Sequence, residues 1–398
     1  MSSSRVNLLA PEVRANPYPV FAGLRRHAPV SQVDPMGLWA VSRFADVSQV
    51  LKNPQLFASE GFKQAYRPAW FPDYPMADSM LVMDPPHHTR LKALVTRAFG
   101  PSVITRLEPR IRQLAEQTVA ELPVDQSVDF VSAFSVRVPL AVIAELMGLG
   151  PSIYPDLKRW ADLFATFTGI PAHDTGRQQQ MRDAVAEFRR HFEQVLEERR
   201  REPREDLVSD LLRARVDGEA LTQTELMGFM FLLLTAGMET TVHLMSHSAH
   251  RLHLQPELME RLRADRSLLP RFIDEMLRYE PPVHGVFRMT TQEVELGGVR
   301  LPRGARLLLL LCSANRDEAQ FPEPDRFDLE RPGPQNLPFG HGIHFCLGAH
   351  LARLEGRIAL EALVSRFSRL TAGDGPVRWN SSLVVRGPTA LPLVARLS

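Results

Sequence analysis

The chain has 398 residues, of which 44% are apolar and 23% are charged, a balance typical of a soluble globular protein. The 47 basic and 46 acidic residues leave a formal charge of +1, so no strong overall field attracts nucleic acid or an anionic membrane. The two cysteines exclude a disulfide framework and a four-cysteine iron–sulfur site.

The N-terminus lacks the apolar stretch of a signal peptide. The uncharged apolar run 227–238 is shorter than the about 20 apolar residues that a membrane-spanning helix needs. We therefore predict a cytoplasmic protein with no membrane anchor and no nucleic-acid partner. No linker, repeat or low-complexity tract interrupts the chain, which favours one domain over 1–398 with a flexible segment at 1–15.

The first part of the chain predicts a small β element followed by a long loop. Strands are expected at 30–33 and 38–41, joined by a turn at 34–37, and a helix is expected at 45–51. The stretch 57–83 combines prolines with several aromatic residues and is irregular. A loop of this length inside a compact domain is usually a functional lid or disordered.

The middle of the chain, 88–265, is predicted to be mostly helical. Its clearest helix runs over about 222–253, where Thr222 and Glu225 fit a capping box. The central stretch 229–236 is apolar on every side, so we expect it to be buried.

The last third mixes helices with short strands. We predict a helix at 269–279, a hairpin at 294–301, a strand at 306–312, a proline-rich meander at 321–338 and a helix at 347–367. The chain as a whole therefore predicts a mainly α fold with a minor β region.

The most informative segment is Phe-Gly-His-Gly-Ile-His-Phe-Cys-Leu-Gly, residues 339–348. Gly340 and Gly342 permit tight turns and a close approach of the backbone to a bound group. Cys346 precedes a helix, where backbone N–H groups and the positive end of the helix dipole favour a thiolate. A single thiolate in an apolar setting is the ligand that a heme-thiolate iron needs.

Two other interpretations of this segment stay open. A lone cysteine is most often a small buried hydrophobic residue. A zinc site is also conceivable, built from His341, His344, Cys346 and His350, although this spacing is not a known zinc pattern and would leave the glycines unexplained.

The segment resembles the heme-binding signature of the cytochrome P450 superfamily at every fixed position. The resemblance implies a heme b cofactor with Cys346 as the axial iron ligand and with contacts from Phe339, Gly340 and Gly348. It also implies the superfamily fold, a triangular prism in which the heme lies between the long central helix and the cysteine loop. The soluble N-terminus is similar to bacterial members.

The long helix carries a second motif, Ala-Gly-Met-Glu-Thr-Thr, which begins at Ala236. Glycine in mid-helix costs about 1 kcal/mol relative to alanine, and a threonine hydroxyl can bond back to a carbonyl, so Gly237 and Thr240 are expected to open a groove. A carboxylate beside a hydroxyl suits a proton relay. The motif resembles the superfamily's oxygen-activation site, which implies a proton-supplying role for Glu239, a catalytic role for Thr240 and heme contacts for Ala236 and Gly237. The alternative is a core helix with incidental polar residues.

A heme also brings two propionates, which need cations or hydrogen-bond donors. By resemblance these are His88, Lys92, Arg288 and His344. Because lysine presents one point charge and no planar fork, Arg90 is an alternative to Lys92.

Glu275 and Arg278 lie at i and i+3 on one face of the predicted helix 269–279. If this pair were exposed to solvent, it would contribute little to the stability of the folded protein. The resemblance instead implies a buried structural network, with Arg326 of the meander as its third member.

We therefore predict a monooxygenase of secondary metabolism that inserts one atom of O₂ into a mainly hydrophobic small molecule, by hydroxylation or epoxidation. Electrons are expected from a separate ferredoxin or flavodoxin with its reductase, since the chain carries no flavin, nicotinamide or iron–sulfur signature. By resemblance the substrate pocket draws on Leu232, Leu233, Ala236, Val283, His284, Val286 and Val384. A peroxygenase, an enzyme of oxidative coupling or desaturation, and a non-catalytic heme sensor remain alternatives.

Overall fold

The computed structural model describes residues 5–332 and 336–397, which form a mainly helical protein with a small β region. The helices are Pro11–Ala15 (α1), Tyr18–His27 (α2), Phe44–Lys52 (α3), His87–Ala98 (α4), Pro101–Ala120 (α5), Arg137–Leu146 (α6), Tyr154–Ala165 (α7), Thr175–Arg201 (α8), Leu207–Arg213 (α9), Gln223–Leu254 (α10), Pro256–Ala264 (α11), Leu269–Tyr279 (α12), Leu311–Ala314 (α13) and Ala349–Arg366 (α14). The strands are Val30–Val33 (β1), Leu38–Val41 (β2), Phe57–Ala58 (β3), Ser127–Asp129 (β4), Gly285–Thr290 (β5), Val294–Leu296 (β6), Val299–Leu301 (β7), Arg306–Leu310 (β8), Phe367–Ala372 (β9), Arg378–Trp379 (β10), Pro388–Ala390 (β11) and Pro392–Leu397 (β12). The predicted mainly α fold class is confirmed.

The predicted first hairpin forms as β1 and β2, which pair antiparallel around a turn in which Met36 and Gly37 have positive φ. The loop 57–83 is less irregular than expected. It contributes β3 and three short 3₁₀ helices, at Glu60–Tyr66, Pro75–Asp78 and Met80–Val82.

The main sheet has the strand order β1-β2-β8-β5-β3, with β2 and β8 parallel and the other pairs antiparallel. Side chains alternate along β8, so the two faces of the sheet carry separate apolar clusters. Leu307 and Leu309 pack with Val47 of α3, whereas Leu308 packs in the other cluster with Phe21 of α2. Smaller sheets join β4, β12 and β9, β10 and β11, and β6 and β7.

The chain divides into two compact units, of which one comprises 1–61, 115–135 and 240–398 and the other comprises 62–114 and 136–239. The prediction of a single domain stays a prediction. Within the segment that was expected to be flexible, Leu8 and Val13 are buried.

Helix α10 begins with the predicted capping box. The Thr222 amide donates to Glu225 Oε2 at 2.8 Å, and the Glu225 amide donates to Thr222 Oγ1 at 3.2 Å. The expectation that 229–236 is buried on every side is wrong in part, because Ala236 is exposed. Apolar composition marks a helix as generally buried but does not show which of its faces stays uncovered.

Among the described residues, α10 is one helix that is long and apolar enough to cross a membrane by length and composition. However, 61% of its most apolar stretch is buried inside the protein. This burial is typical of the core helix of a soluble protein and differs from a helix that faces lipid.

Glu275 and Arg278 of α12 form the predicted buried pair. Arg278 is fully buried and donates to both carboxylate oxygens of Glu275, at 2.8 and 2.7 Å. The same guanidinium also donates to the backbone oxygens of Asn315, Pro324 and Arg326, at 3.0, 2.8 and 3.1 Å. The pair therefore ties α12 to the meander through charge-assisted hydrogen bonds.

The third member of this network was assigned wrongly. The side chain of Arg326 is 60% exposed and pairs with Asp328 in solvent. Arg331, whose side chain is 9% exposed, donates from Nε to Glu275 Oε1 at 3.2 Å and from a terminal nitrogen to the Pro322 oxygen at 2.7 Å. The irregular path of the meander turns the later arginine inward, and no periodic pattern in the sequence reports that turn.

Candidate heme site

The segment that carries Cys346 forms a tight backbone structure. The Cys346 amide donates to the Phe339 oxygen at 3.0 Å, and the Phe345 amide donates to the Gly342 oxygen at 3.0 Å. Gly340 and Gly342 have φ of +71° and +70°, where a side chain would be strained. The glycines that the sequence left unexplained under zinc binding therefore serve the shape of this loop.

Gly342 is also required by its neighbour. A Cβ at this position would lie 2.4 Å from the backbone oxygen of Leu51, at the end of α3. Beside it, the guanidinium of Arg353 lies 4.6 Å from the ring centroid of Phe339 and donates to Asp274 at 2.8 Å. These contacts hold the cysteine loop against its own unit, and Cys346 within that loop is an exposed residue.

The donor chemistry of this loop distinguishes heme from zinc. The described residues contain no group of three or more histidine, cysteine or acidic side chains that could hold a metal ion. His341, His344, Cys346 and His350 therefore do not assemble into a zinc site. One accessible thiol on a glycine-shaped loop, two residues before the N-cap Gly348 of α14, fits a single axial thiolate.

The predicted catalytic and pocket residues of α10 share one face of that helix. Leu232, Leu233, Glu239 and Thr240 are partly exposed and Ala236 is exposed, at spacings of three and four residues. Among their neighbours, Phe231, Leu234, Met238 and Thr241 are buried, whereas Thr235 and Gly237 are partly exposed. This uncovered face therefore brings together the residues that the sequence assigned separately to the pocket and to the oxygen-activation motif.

Gly237 has a packing role beside the expected one, which stays a prediction. A Cβ there would lie 2.9 Å from Ile143 Cδ1, so the glycine allows α6 to approach α10 closely. The helix continues without interruption through Gly237 and Thr240. Thr235 on the same helix donates its hydroxyl to the Phe231 oxygen at 2.9 Å, which is the bond back to a carbonyl that a helical threonine can make.

Helix α4 carries two of the predicted propionate partners, in the second unit. His88 is buried and Lys92 is partly buried, and the two lie at i and i+4 on one helix face. Arg90 projects elsewhere: its guanidinium pairs with Glu225 and donates to the Ala220 oxygen at 3.3 Å. Arg90 is therefore already engaged by Glu225 and the Ala220 oxygen, and the choice between Lys92 and Arg90 as a propionate partner stays a prediction.

Two further predicted cations lie in the first unit. Arg288 on β5 is buried and donates to the Phe287 oxygen at 2.6 Å. His344 Nε2 lies 3.0 Å from Ser59 Oγ. Ser59 was not singled out from the sequence, because a serine at the start of an irregular loop carries no pattern that assigns it a partner.

The predicted pocket residues of the first unit meet where β5 begins. Val283 forms an isolated bridge with Val385, and the Val384 oxygen accepts from the His284 amide at 2.8 Å. The His284 ring is buried against Tyr18, with ring centroids 6.1 Å apart. His284 therefore contributes its backbone here, and its side chain belongs to the protein core.

Comparison with known proteins shows what these features have in common. The cytochrome P450 family model matches residues 152–390. The chain belongs to the cytochrome P450 family. It is 36% identical over 386 residues to vitamin D(3) 25-hydroxylase of Pseudonocardia autotrophica, covering 95% of this chain and 93% of that one. It is 37% identical to cyclomarin C epoxidase CymV of Salinispora arenicola, covering 94% of each. The structure of cytochrome P450 CYP109Q5 from Chondromyces apiculatus superimposes with a TM-score of 0.91 at 42% identity, over 99% of both chains.

As a cytochrome P450, the protein is a monooxygenase, and its family membership implies heme, a redox partner and a hydrophobic substrate. The predicted membership of the cytochrome P450 superfamily is thereby confirmed. The relatives include enzymes named as a hydroxylase and an epoxidase, which are the two reaction types that the sequence predicted.

Glu355 is a notable residue that sequence reasoning missed. It is 3% exposed on α14, nine residues after Cys346, and burial raises its pKa to about 8. A signal was present, because Glu355 falls four residues after Leu351 and three before Ile358, within the buried stripe of the helix. A carboxylate among apolar residues at that spacing indicates a buried, protonated acid.

The buried His284 ring predicts loss of stability in acid. Burial lowers its pKa to about 3, so the folded protein leaves it neutral while the unfolded chain, with a pKa near 6.5, takes up a proton. Stability contributed by the neutral ring is therefore complete above about pH 6.5 and is lost as the pH falls below it. At pH 5 we expect a loss of about 2 kcal/mol from this residue.

Urea unfolding at pH 7.5 and pH 5 measures this effect. His284→Gln should flatten the pH dependence, whereas replacing the exposed His27 with Gln should leave it unchanged. Equal pH dependence in wild type and His284→Gln would contradict the assignment.

Proposed function

We propose that the protein binds heme b through Cys346 and uses it to oxygenate a hydrophobic small molecule. The observation that carries the proposal is the glycine-shaped loop that presents one accessible thiol, in a chain whose α10 uncovers an acid–alcohol pair on one face. His88, Lys92, Arg288 and His344 are the proposed partners of the heme propionates. When bound, the heme supplies reductive activation of O₂.

The chain's own residues supply protons and exclude water. The Glu239 carboxylate takes up a proton and passes it to the Thr240 hydroxyl, which hands it to the reacting oxygen. Both side chains lie on the partly uncovered face of α10, one residue apart. The buried apolar residues on the remaining faces keep bulk water from reaching this pair along the helix.

The proposed substrate is a mainly hydrophobic molecule such as a terpenoid, steroid, fatty acid or polyketide. The residues that support this class are Leu232, Leu233, Ala236, Val283, Val286 and Val384, which are apolar and incompletely buried. His284 is not included, since its ring is packed against Tyr18. The names of the relatives, a vitamin D(3) hydroxylase and a cyclomarin C epoxidase, support a role in secondary metabolism.

Electrons are proposed to come from a soluble ferredoxin or flavodoxin in the cytoplasm. Two arginines of α14 that could attract such an acidic partner already have acidic neighbours. Arg353 pairs with Asp274, and Arg357 lies 3.9 Å from Glu361. Docking through these two arginines would therefore compete with existing ion pairs.

A spectral substrate screen tests the proposed function. Purified heme-loaded protein is titrated with testosterone, lauric acid, a macrolide aglycone and a monoterpene. We expect at least one class to shift the Soret band, and turnover with a ferredoxin system to give a product heavier by one oxygen atom. If no class shifts the band or gives an oxygenated product, the proposal is wrong. Product formed only with added peroxide would indicate the peroxygenase alternative.

Replacing Thr240 with alanine should separate electron use from product formation. Because the proposed proton delivery loses its last donor, the product formed per electron consumed should fall about tenfold or more, with hydrogen peroxide released instead. Product and peroxide are measured together during steady turnover. Thr241→Ala, which changes the adjacent buried residue, is the matched control and should form as much product per electron consumed as the wild type. If Thr240→Ala formed as much product per electron as the wild type, the proposed proton delivery through Thr240 would be wrong.

A further inference from the structure

We propose that Arg14, on the short helix α1 near the N-terminus, is a positioning residue for the substrate pocket. It fixes the pocket loop, residues 380–385, and through that loop it sets the placement of Val384. The inference rests on the proposed function, because it takes Val384 to be a wall of the substrate pocket.

Arg14 holds the pocket loop from the side of α1. One terminal nitrogen donates to the Ser382 oxygen at 2.6 Å, and the other donates to the Asn380 oxygen. Both acceptors are backbone atoms, so the contact fixes the path of the loop whatever its side chains. A planar guanidinium can satisfy two carbonyls at once, whereas a lysine ammonium offers one point of attachment.

A second arginine completes the contact in the opposite direction. Arg386, which follows the pocket loop, donates to the Ala15 oxygen at 3.2 Å and to Glu280 Oε1 at 2.6 Å. Its guanidinium also lies 3.7 Å from the ring centroid of Trp379. The two arginines thus exchange backbone contacts, one from α1 to the loop and one from the end of the loop to α1.

The far side of the pocket loop is attached to the segment that leads into β5. The Val384 oxygen accepts from the His284 amide at 2.8 Å, and the Arg386 amide donates to the Pro282 oxygen at 2.8 Å. Inside the loop, Ser382 Oγ accepts from the Val385 amide at 3.1 Å. Val384 therefore lies between an anchor on α1 and an anchor on the segment before β5.

Apolar packing links the same parts. Leu8 and Val13, at the start of the chain and on α1, belong to the cluster against which Leu383 and Val384 pack. Loss of the Arg14 contacts would leave this apolar packing but would release two backbone carbonyls of the loop. We therefore expect the loop to shift and the pocket to change shape, with the heme ligand undisturbed.

Two azole ligands of different size test the proposal. Imidazole binds ferric heme iron and is too small to reach far from it, whereas clotrimazole binds the same iron and fills the surrounding pocket. Dissociation constants are measured from the Soret shift for wild type, Arg14→Gln and Arg14→Lys. Arg26→Gln is the matched control, because Arg26 is exposed and pairs with Glu318 on the surface.

The expected result is a change in the clotrimazole dissociation constant of about fivefold in Arg14→Gln, with that of imidazole within about twofold of wild type. Arg14→Lys should be intermediate, and Arg26→Gln should behave as wild type. In a double-mutant cycle, Arg14→Gln and Val384→Ala should be non-additive for clotrimazole, since both act on one wall.

Three outcomes would overturn the proposal: an unchanged clotrimazole constant in Arg14→Gln, equal changes for both azoles, or additive effects in the cycle. A general loss of folding would change both azoles together and counts against a positioning role, and Arg14→Lys supplies the milder test. If imidazole produces no Soret shift in wild type, the proposed heme function fails instead, so the two failures are distinguishable.

Discussion

Arg278→Leu should abolish the stable folded protein. The substitution leaves the buried Glu275 carboxylate with Arg331 as its remaining charged partner. It also removes the Arg278 donor from the backbone oxygens of Asn315 and Pro324, and one of two donors from that of Arg326. Removing one member of a buried, hydrogen-bonded charge pair costs about 3–5 kcal/mol, which is a large part of the stability of a typical domain. The expected result is a loss of soluble protein, or a large fall in the urea midpoint of whatever is recovered.

The arginines of the meander provide matched controls. Arg326→Gln removes an exposed charge and should cost less than about 0.5 kcal/mol. Arg331→Gln removes an inward donor to Glu275 and should cost about 1–3 kcal/mol. Equal effects at the two positions would contradict the network as the structure shows it.

Cys346→Ser should remove heme-thiolate ligation completely. A serine hydroxyl is not ionised at neutral pH and is a poor ligand for ferric iron compared with a thiolate, so the protein should lose heme or hold it with a different electronic spectrum. Absorption and electron paramagnetic resonance of the ferric protein report this change directly. No oxygenation should remain with the ferredoxin system.

Cys312→Ala is the control for Cys346→Ser. Cys312 is fully buried, and burial raises the pKa of its thiol well above the usual range. The thiol therefore stays protonated and does not act as a metal ligand. This variant should keep the wild-type ferric spectrum. If it lost that spectrum while Cys346→Ser kept it, the ligand assignment would be reversed.

The elements that the sequence predicts well are those with a local physical cause. Helix α12 has the predicted bounds because a strong apolar stripe ends at the proline pair after Glu280. Helix α10 begins at its capping box, and β6 and β7 turn at Gly297 and Gly298, both of which have positive φ. Such signals lie within a few residues of the structure that they predict.

The predictions that failed concern contacts between distant parts of the chain. The choice of Arg331 over Arg326 depends on the path of an irregular segment. The exposure of Ala236 depends on which elements cover each face of α10, and the apolar sequence around it does not show which face is left uncovered. A contact that the sequence did not predict at all, between Arg14 and Asn380, joins residues 366 positions apart, and no local pattern connects them.

Within the site, motif spacing predicts residue types better than their surroundings. The resemblance selected Cys346 and its glycines together, and the backbone of that loop explains why those glycines are needed. The sequence cannot decide which way the His284 ring points, since a strand entrance can present a side chain to either face, and the structure packs that ring against Tyr18.

The carbon-monoxide spectrum of the reduced wild-type protein shows whether Cys346 binds heme iron as a thiolate. Protein purified with heme is reduced with dithionite and exposed to carbon monoxide, and the Soret band is recorded. A thiolate from Cys346 predicts the strongly red-shifted band that gives this family its name. A band at the position typical of a histidine-ligated heme, or a colourless protein that retains zinc or no metal, would contradict the account.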